Sequence, residues 1–451
     1  MYGIGRELQC PLEARTGEGT ATLRPSQMIT RKHSGPDTEF DMRILHTSDW
    51  HLGITFGGTS LVDHQQQFFD WLLDLIPRAR IDLVVIAGDI FDRAVAPNDA
   101  VILFKQVLKR LQSLKVRTAA ITGNHDGSDR VANYGDLLDL SGVIIRGGYA
   151  RIGEVIRMDF DDGPLDLVML PFLDPQAAPV EFSDFDQAAD NTPVSADANF
   201  EKFMRRTHES VLRSAIAAAV PHVRSARTLA VSHAFVAGGA TSDSERKLHV
   251  GGAGTVNAAL FSPFSYTALG HLHRPQSVGP GVGSITDKAA NRSAASVLCY
   301  SGTPLAYSFS ENHRKSVAII DLAPDGTCRI EAVEVPVGRA VLTVTGTIDE
   351  LLGAKPAHDR RESFVRAIIT DRAVVLDAKK RLTAVYPHVI EIELRPEGAA
   401  DGISITTGET RSLSALESAR TFWCAVVGSE PTAEEQAVLT DAIAHAEREF
   451  A

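Results

Sequence analysis

The sequence predicts an α/β protein with its strands at the centre, followed by a small α+β domain and C-terminal helices. Three observations carry this. From 43 to about 310, short β-rich apolar runs alternate with amphipathic helical stretches. Five of those runs end in Asp, Asn or His. After about Lys315 the texture changes to shorter strand–helix units, and the chain closes on two amphipathic helices broken at "GSEPT".

Each element follows from its residues. "RILHTSD" is a strand, and "DHQQQFFDWLLDLIPRA" places Phe68, Leu72, Leu75 and Ile76 at helical spacing. "IDLVVIAGDI" is almost continuously apolar, as expected of a strand buried on both faces. "NDAVILFKQVLKRLQSL" is a helix with Asn98 or Asp99 as its expected N-cap. "VRTAAITGNHD", "LDLVMLPF", "RTLAVSHAFV", "YTALGHLHRPQ" and "SVLCYSGTP" read as strands, with the helix "FMRRTHESVLRSAIAAA" among them. "KSVAIIDL" and "CRIEAVEVP" form a hairpin through Pro-Asp-Gly and are grouped with the small domain. The expected organisation is an extension of low order over 1–41, a main domain over 42–315, a capping α+β domain over 316–400, a linker over 401–411 and helices over 412–451. Met42, directly before the first strand, is an alternative start of translation.

A chain of 451 residues suits two or three domains. The net charge of −12 does not favour nucleic acid, but local patches rather than the total decide binding. Cys10, Cys299, Cys328 and Cys424 form no Cys-x-x-Cys pair, which argues against a zinc knuckle or a disulfide framework and suits a reducing cytoplasm. The sequence shows no apolar run long enough for a bilayer and no secretion signal.

The strand ends gather chemistry. Asp49 and His51 close the first strand, where side chains two apart point the same way and are expected to converge. Asp89 follows "VVIA"; Asn124, His125 and Asp126 follow "AAIT"; His233 follows "LAVS"; His271 and His273 follow "TALG". Ligands of α/β sheets sit at C-terminal strand ends, and glycines at 53, 88, 123 and 270 permit tight turns there. Carboxylate, imidazole and amide donors without thiolate suit Mn²⁺, Fe²⁺ or Zn²⁺. Two carboxylates, one Asn and four His exceed one ion's needs and suit a pair sharing a bridging carboxylate. Any one of these histidines alone is more often a hydrogen-bonded loop residue; the recurrence at five strand ends separates them from that background.

The motifs "D-x-H", "GD", "GNHD", "SH" and "GHLH", in this order, resemble the calcineurin-like metallophosphoesterase superfamily. Within it, "ILHTSDWHLG", "VVIAGDIFDRA", "ITGNHD", "ALGHLHRPQ" and "YSGTPLAYSFSE" resemble the bacterial SbcD-type nuclease subunits, from Met42 through the C-terminal helices. The resemblance implies a two-sheet sandwich flanked by helices, with a small capping domain and C-terminal helices. It implies that Asp49, His51 and His273 hold one ion, that Asp89 bridges, and that Asn124, His233 and His271 hold the second. His125 would stabilise the transition state without binding metal, and Asp126 would orient its neighbour. The implied activity is Mn²⁺-dependent 3′→5′ exonuclease action on duplex ends, with endonuclease action on single strands and hairpins, in DNA repair, recombination and replication. The implied partners are an SbcC-like SMC-type ATPase, DNA and a second copy of the chain, in a cytoplasmic, nucleoid-associated complex. The connection "SVGPGVGSITDKAANRSAAS" is longer than the pattern and bears on local substrate contacts.

Other residues carry weaker signals. His64, His208, His222, His249, His313, His388 and His445 lack a strand-end context and are read as surface or core. Lys105, Lys109, Arg110, Lys115 and Arg117, and Lys379, Lys380 and Arg381, form basic faces suited to phosphate backbone and equally to solvent. Leu416, Trp423, Val426 and Val427 form an apolar stripe suited to an ATPase groove, and Leu439, Ile443, Ala446 and Phe450 a coiled-coil-like seam. Val101, Phe104, Leu108 and Leu111 serve either self-association or packing on the sheet. Two rival readings stand beside the nuclease. One is another metallophosphoesterase acting as a phosphodiesterase or phosphatase, against which the small domain and helices speak. The other is a catalytically silent scaffold, against which the complete ligand set speaks.

Overall fold

A computed structural model describes residues 42–133, 135–139, 141–179, 206–245, 254–279, 296–372, 375–396, 414–427 and 430–449. The 1–41 extension, the 401–411 linker, His249, Phe450 and nearly all of the long connection after Ser277 lie outside them, as do the side chains of Val426, Val427 and Ala446.

The main domain is built from strands β1 (Arg43–Thr47), β2 (Leu83–Ala87), β3 (Arg117–Ile121), β4 (Val143–Arg146), β5 (Val155–Phe160), β6 (Gly163–Leu170), β7 (Thr228–His233), β8 (Tyr266–Gly270), β9 (Gln276–Val278), β10 (Val297–Tyr300), β11 (Ser316–Leu322) and β12 (Cys328–Glu334). They form two six-stranded sheets, ordered β12-β11-β1-β2-β3-β4 and β9-β10-β8-β7-β6-β5. Strands β1 to β4 run parallel, as do β6, β7, β8 and β10, so their C-terminal ends line up at one edge of each sheet.

The alternation of strand residues explains the layering. Ile44, Val85 and Ala119 of the first sheet meet Leu167, Val231 and Ala268 of the second in one buried core. The opposite faces, such as Leu45, Val84 and Ile86, pack on helices α1 (Val62–Ala79) and α2 (Asn98–Ser113). The outer face of the second sheet packs on α3 (His208–Ala219), which Thr207 opens with a capping box to Ser210. Helix, sheet, sheet and helix therefore stack as expected of a two-sheet sandwich.

Two local expectations change, and two open ones are resolved in part. The β11–β12 hairpin forms, but β11 pairs antiparallel with β1, so the hairpin extends the first sheet rather than the capping domain. Helix α2 starts after Pro97 with no side-chain cap, and Asp99 instead accepts from the Ala100 amide at 2.9 Å. Within α2, Phe104 and Leu111 are buried against the sheet, while Val101 is exposed. Two residues of the expected basic face are engaged: Arg110 pairs with Asp70 at 2.5 Å and Arg117 lies 4.4 Å over Phe160.

The capping domain begins at β13 (Val341–Gly346), with α4 (Ile348–Gly353), β14 (Phe364–Ile369), α5 (Ala378–Thr383) and β15 (Val389–Leu394). Its sheet is parallel, ordered β13-β14-β15. Phe364 joins it to the main domain through a cluster with Phe56, Leu61, Leu305, Tyr307 and Phe309. Helices α6 (Ala415–Val427) and α7 (Ala433–Glu449) pack on each other, leaving Phe422 and Val438 exposed. No helix among the described residues is long and apolar enough to cross a membrane.

The sheets approach each other closely where β2 and β8 end. A methyl group on Gly270 would lie 1.8 Å from the Ala87 carbonyl oxygen, which is backbone and cannot swing aside. Gly270→Ala is therefore expected to destabilise the protein by on the order of 3 kcal/mol, read as a shifted denaturant midpoint; an unchanged midpoint would contradict this packing.

Candidate metal centre

The strand ends do converge, but not through the pleat. Strand β1 ends at Thr47, and Asp49 and His51 both take left-handed backbone, with φ of 52° and 44°. Asp89 and His271 are also left-handed, with φ of 48° and 107°. Such conformations are costly for residues with a β-carbon and cluster at functional sites. They are locked here by hydrogen bonds between the loops: the Asp49 amide donates to the Gly88 carbonyl and the His51 amide to the Asp89 carbonyl, each at 3.0 Å.

Each carboxylate is held from below. Asp49 accepts from the His271 amide at 2.9 Å and from the Ser48 hydroxyl at 2.5 Å. Asp89 Oδ1 accepts from the His125 amide at 2.9 Å. Asp126 accepts from the amides of Ile90, Phe91 and Gly123, so it ties the Asp89 loop to the Asn124 loop. A methyl group on Gly123 would collide with Asp89 and one on Gly88 with His233, which explains the glycines.

The histidines aim inward. His233 donates from Nδ1 to the Ala87 carbonyl at 3.0 Å, leaving Nε2 2.9 Å from Asn124 Oδ1. His271 Nδ1 is 3.1 Å from the same oxygen. On the other side His51 Nε2 lies 3.2 Å from His273 Nε2. Asp89 Oδ2 stands between the sets, 3.6 Å from His51 Nε2 and 3.5 Å from His233 Nε2. Three overlapping clusters result, Asp49–His51–His273, Asp49–Asp89–His233 and His51–Asp89–His125, each with its donor atoms within 4.8 Å of one another.

The strand-end residues Asp49, His51, Asp89, Asn124, His125, His233, His271 and His273 thus come together at one site. His125 takes a distinct posture: its Nδ1 is 2.8 Å from the Asp92 carbonyl, and its Nε2 is 3.9 Å from Asp89 Oδ2. Among the described residues the histidines outside the constellation enter none of these clusters, although His313 hydrogen-bonds the His273 backbone and lies 3.3 Å from Lys315 Nζ.

The donor set fits divalent cations. Asp49 and Asp89 are buried to 0% and 1% exposure, yet among the described residues neither pairs with an arginine or lysine. Burial pushes the Asp49 carboxyl up to about 6, against the pull of His233 and His273. Burial, then Asp89, pushes Asp126 up to about 7. Burial and the neighbouring imidazoles hold His271 well below its usual range, in the neutral form a metal needs.

A supporting shell is absent from the sequence reading. Burial would lower His273, but Glu311, at 3.1 Å from its Nδ1, outweighs that and raises it. Ser244, Glu245, Tyr307 and Lys315 complete this shell. They lie in stretches such as "SFSENHRK", where neither periodicity nor a strand end marks them; the signals are the motif "YSGTPLAYSFSE", which takes in Tyr307 and Glu311 without assigning them a role, and the alternation of ionisable residues at Glu311, His313 and Lys315.

Comparison with known proteins agrees with this geometry. Residues 42–180 match the family described as "Calcineurin-like phosphoesterase", and residues 337–424 match the "Type 5 capsule protein repressor C-terminal domain", designated SbcD_C. The first match takes in Asp49 to Asn124 and stops short of His233, His271 and His273. Fold and motifs define the class, a calcineurin-like phosphoesterase. A relative, the SbcD subunit of the nuclease SbcCD of Bacillus subtilis (strain 168), is 36% identical over 287 residues, 63% of this chain and 67% of the relative. The chain belongs to the SbcD family of these phosphoesterases. Among solved structures, one from Thermus thermophilus has a TM-score of 0.30 at 11% identity, covering 65% of this chain and 99% of its own. A dimetal phosphatase from Danio rerio has a TM-score of 0.35 at 14% identity, covering 65% and 98%.

Because Asp49 keeps its proton up to about 6 in the metal-free chain, an incoming cation must displace it below that pH. From the Asp49 proton, metal affinity is expected to stay nearly level from about pH 7 to 6 and then to fall, by about tenfold in all by about pH 5. Calorimetry in buffers of different ionisation enthalpy reads both affinity and proton release; constant affinity across that window would contradict it.

Proposed function

We propose that this chain is the Mn²⁺-dependent nuclease subunit of an SbcCD-type complex. It cleaves DNA by two-metal phosphodiester hydrolysis, as a 3′→5′ exonuclease on duplex ends and an endonuclease on single strands and hairpins. Its partner is an SbcC-like SMC-type ATPase, and it works as a homodimer in the nucleoid-bearing cytoplasm, in repair, recombination and replication. The observation that carries the hydrolytic reading is Asp89, a buried carboxylate shared between the His51 side and the His233 side of the cluster. The DNA substrate and the ATPase partner rest on the relative named as a nuclease subunit and on the SbcD_C match.

In this reading Asp49, His51 and His273 would hold one ion and Asn124, His233 and His271 the other, with Asp89 available to both. Two such ions would supply charge stabilisation at the phosphoryl oxygens and a water nucleophile at neutral pH. The chain's own contribution is to fix these donors in a water-poor site and to present His125. The Asp92 carbonyl takes the Nδ1–H of His125, which leaves Nε2 directed into the cluster, 3.9 Å from Asp89 Oδ2. As an imidazolium, His125 would also carry a proton on Nε2, and would donate that one towards charge developing on phosphorus or on the departing 3′ oxygen. The apolar faces of α6 and α7, with Phe422 and Val438 uncovered, support docking on a partner rather than on phosphate.

The test is a Mn²⁺-dependent cleavage assay on duplex, single-stranded and hairpin DNA, with and without the ATPase. His125→Asn is expected to lower turnover by about 10²–10⁴-fold while two ions per chain and DNA binding persist. Near-wild-type turnover of that variant would remove His125 from the chemistry. A wild-type chain inert on all three substrates, even with the ATPase present, would point to the silent scaffold.

A further inference from the structure

We infer that Glu311, clamped by Lys315, is a positioning residue that sets the tautomer and direction of His273 for metal binding. Glu311 is 1% exposed, and each of its oxygens is engaged. Oε1 lies 3.1 Å from His273 Nδ1 and accepts the Ser244 hydroxyl, which is itself 2.7 Å from the same Nδ1. Oε2 pairs with Lys315 Nζ and accepts from Thr303 Oγ1 at 3.0 Å. Lys315 also reaches Thr303 Oγ1 at 2.7 Å.

The consequence is chemical. A carboxylate facing an ammonium can only accept, so the proton shared with His273 sits on Nδ1. The Nε2 lone pair then points away from Glu311, to the spot 3.2 Å from His51 Nε2. Two imidazole nitrogens that close need a proton or a cation between them. A neutral imidazole with its Nδ1–H on a carboxylate is also a stronger ligand, because the hydrogen bond fixes ring orientation and raises the basicity of the other nitrogen. The second contact on the His273 backbone, its amide to Glu245 Oε1 at 2.7 Å, holds the main chain and leaves ring direction to Glu311 and Ser244.

Lys315 makes the arrangement possible. Its ammonium on Oε2 is the counter-charge that a carboxylate this buried needs, and it leaves Oε1 to face His273. Lys315 is itself anchored, since its carbonyl accepts from the Val335 amide at 2.8 Å. The pair is therefore fixed to the first sheet, while its other end touches a ligand supplied by the second.

This rests on the two-ion reading of the site. The test is a chelator-competition titration of the full chain with Mn²⁺, for wild type, Glu311→Gln, and the double variant Glu311→Gln/Lys315→Met, which removes both charges and leaves no unpaired ammonium. Wild type is expected to bind two ions. In both variants one binding step is expected to weaken by about 10–100-fold while the other stays within about threefold of wild type. In ¹⁵N-histidine spectra of the metal-free chain, wild type should show one imidazole held as the Nδ1–H form that loses this signature in both variants. Two wild-type binding steps in the double variant, or equal weakening of both steps, would overturn the positioning role and leave the two-ion reading standing. Fewer than two ions on wild type would overturn that reading and this inference with it.

Discussion

Burying two carboxylates and five imidazoles at the junction of two sheets is the constraint on which the rest of this structure depends. Among the described residues Asp49 and Asp89 give up their hydration with no arginine or lysine as ion-pair partner, a cost that bound cations would offset. Everything nearby serves to keep those charges in place: left-handed backbone at four of the site residues, amide donors beneath each carboxylate, and glycines wherever a β-carbon would intrude. The strain is local, and the two packed cores behind it supply the rigidity that holds it.

The sandwich explains why the ligands come from so many places in the sequence. Parallel strands deliver their C-terminal ends to one edge of each sheet, and stacking two such sheets brings both edges together. The first sheet gives Asp49, His51, Asp89 and Asn124; the second gives His233, His271 and His273. Neither sheet alone makes the site, so the fold and the metal chemistry are one requirement. The segment 303–311 adds a third contributor. Tyr307 donates to the Trp50 carbonyl at 2.6 Å, Phe309 lies under Arg366 of the capping domain, and Glu311 reaches His273.

Much of this was legible in the sequence. The apolar runs gave the strands, and their polar ends gave the site residues, because a strand buried on both faces leaves chemistry only at its tip. The pleat does not account for the Asp49–His51 pair: it ends at Thr47, and left-handed turns do the aiming. The β11–β12 hairpin was legible as a hairpin but not as part of the first sheet, since its pairing with β1 spans residues such as Arg43 and Asp321. Glu311 closes the motif "YSGTPLAYSFSE", but its role was not legible, because a residue that acts through another has no periodicity of its own.

The central claim is that this site is built for two divalent ions sharing Asp89. Crystals of the full chain grown with Mn²⁺ and measured at the manganese absorption edge test it most directly. The account predicts two anomalous peaks about 3.5–4 Å apart, one beside His51 and His273, the other beside His233 and His271, with Asp89 between them. A single peak, or peaks that leave Asp89 uncoordinated, would contradict it.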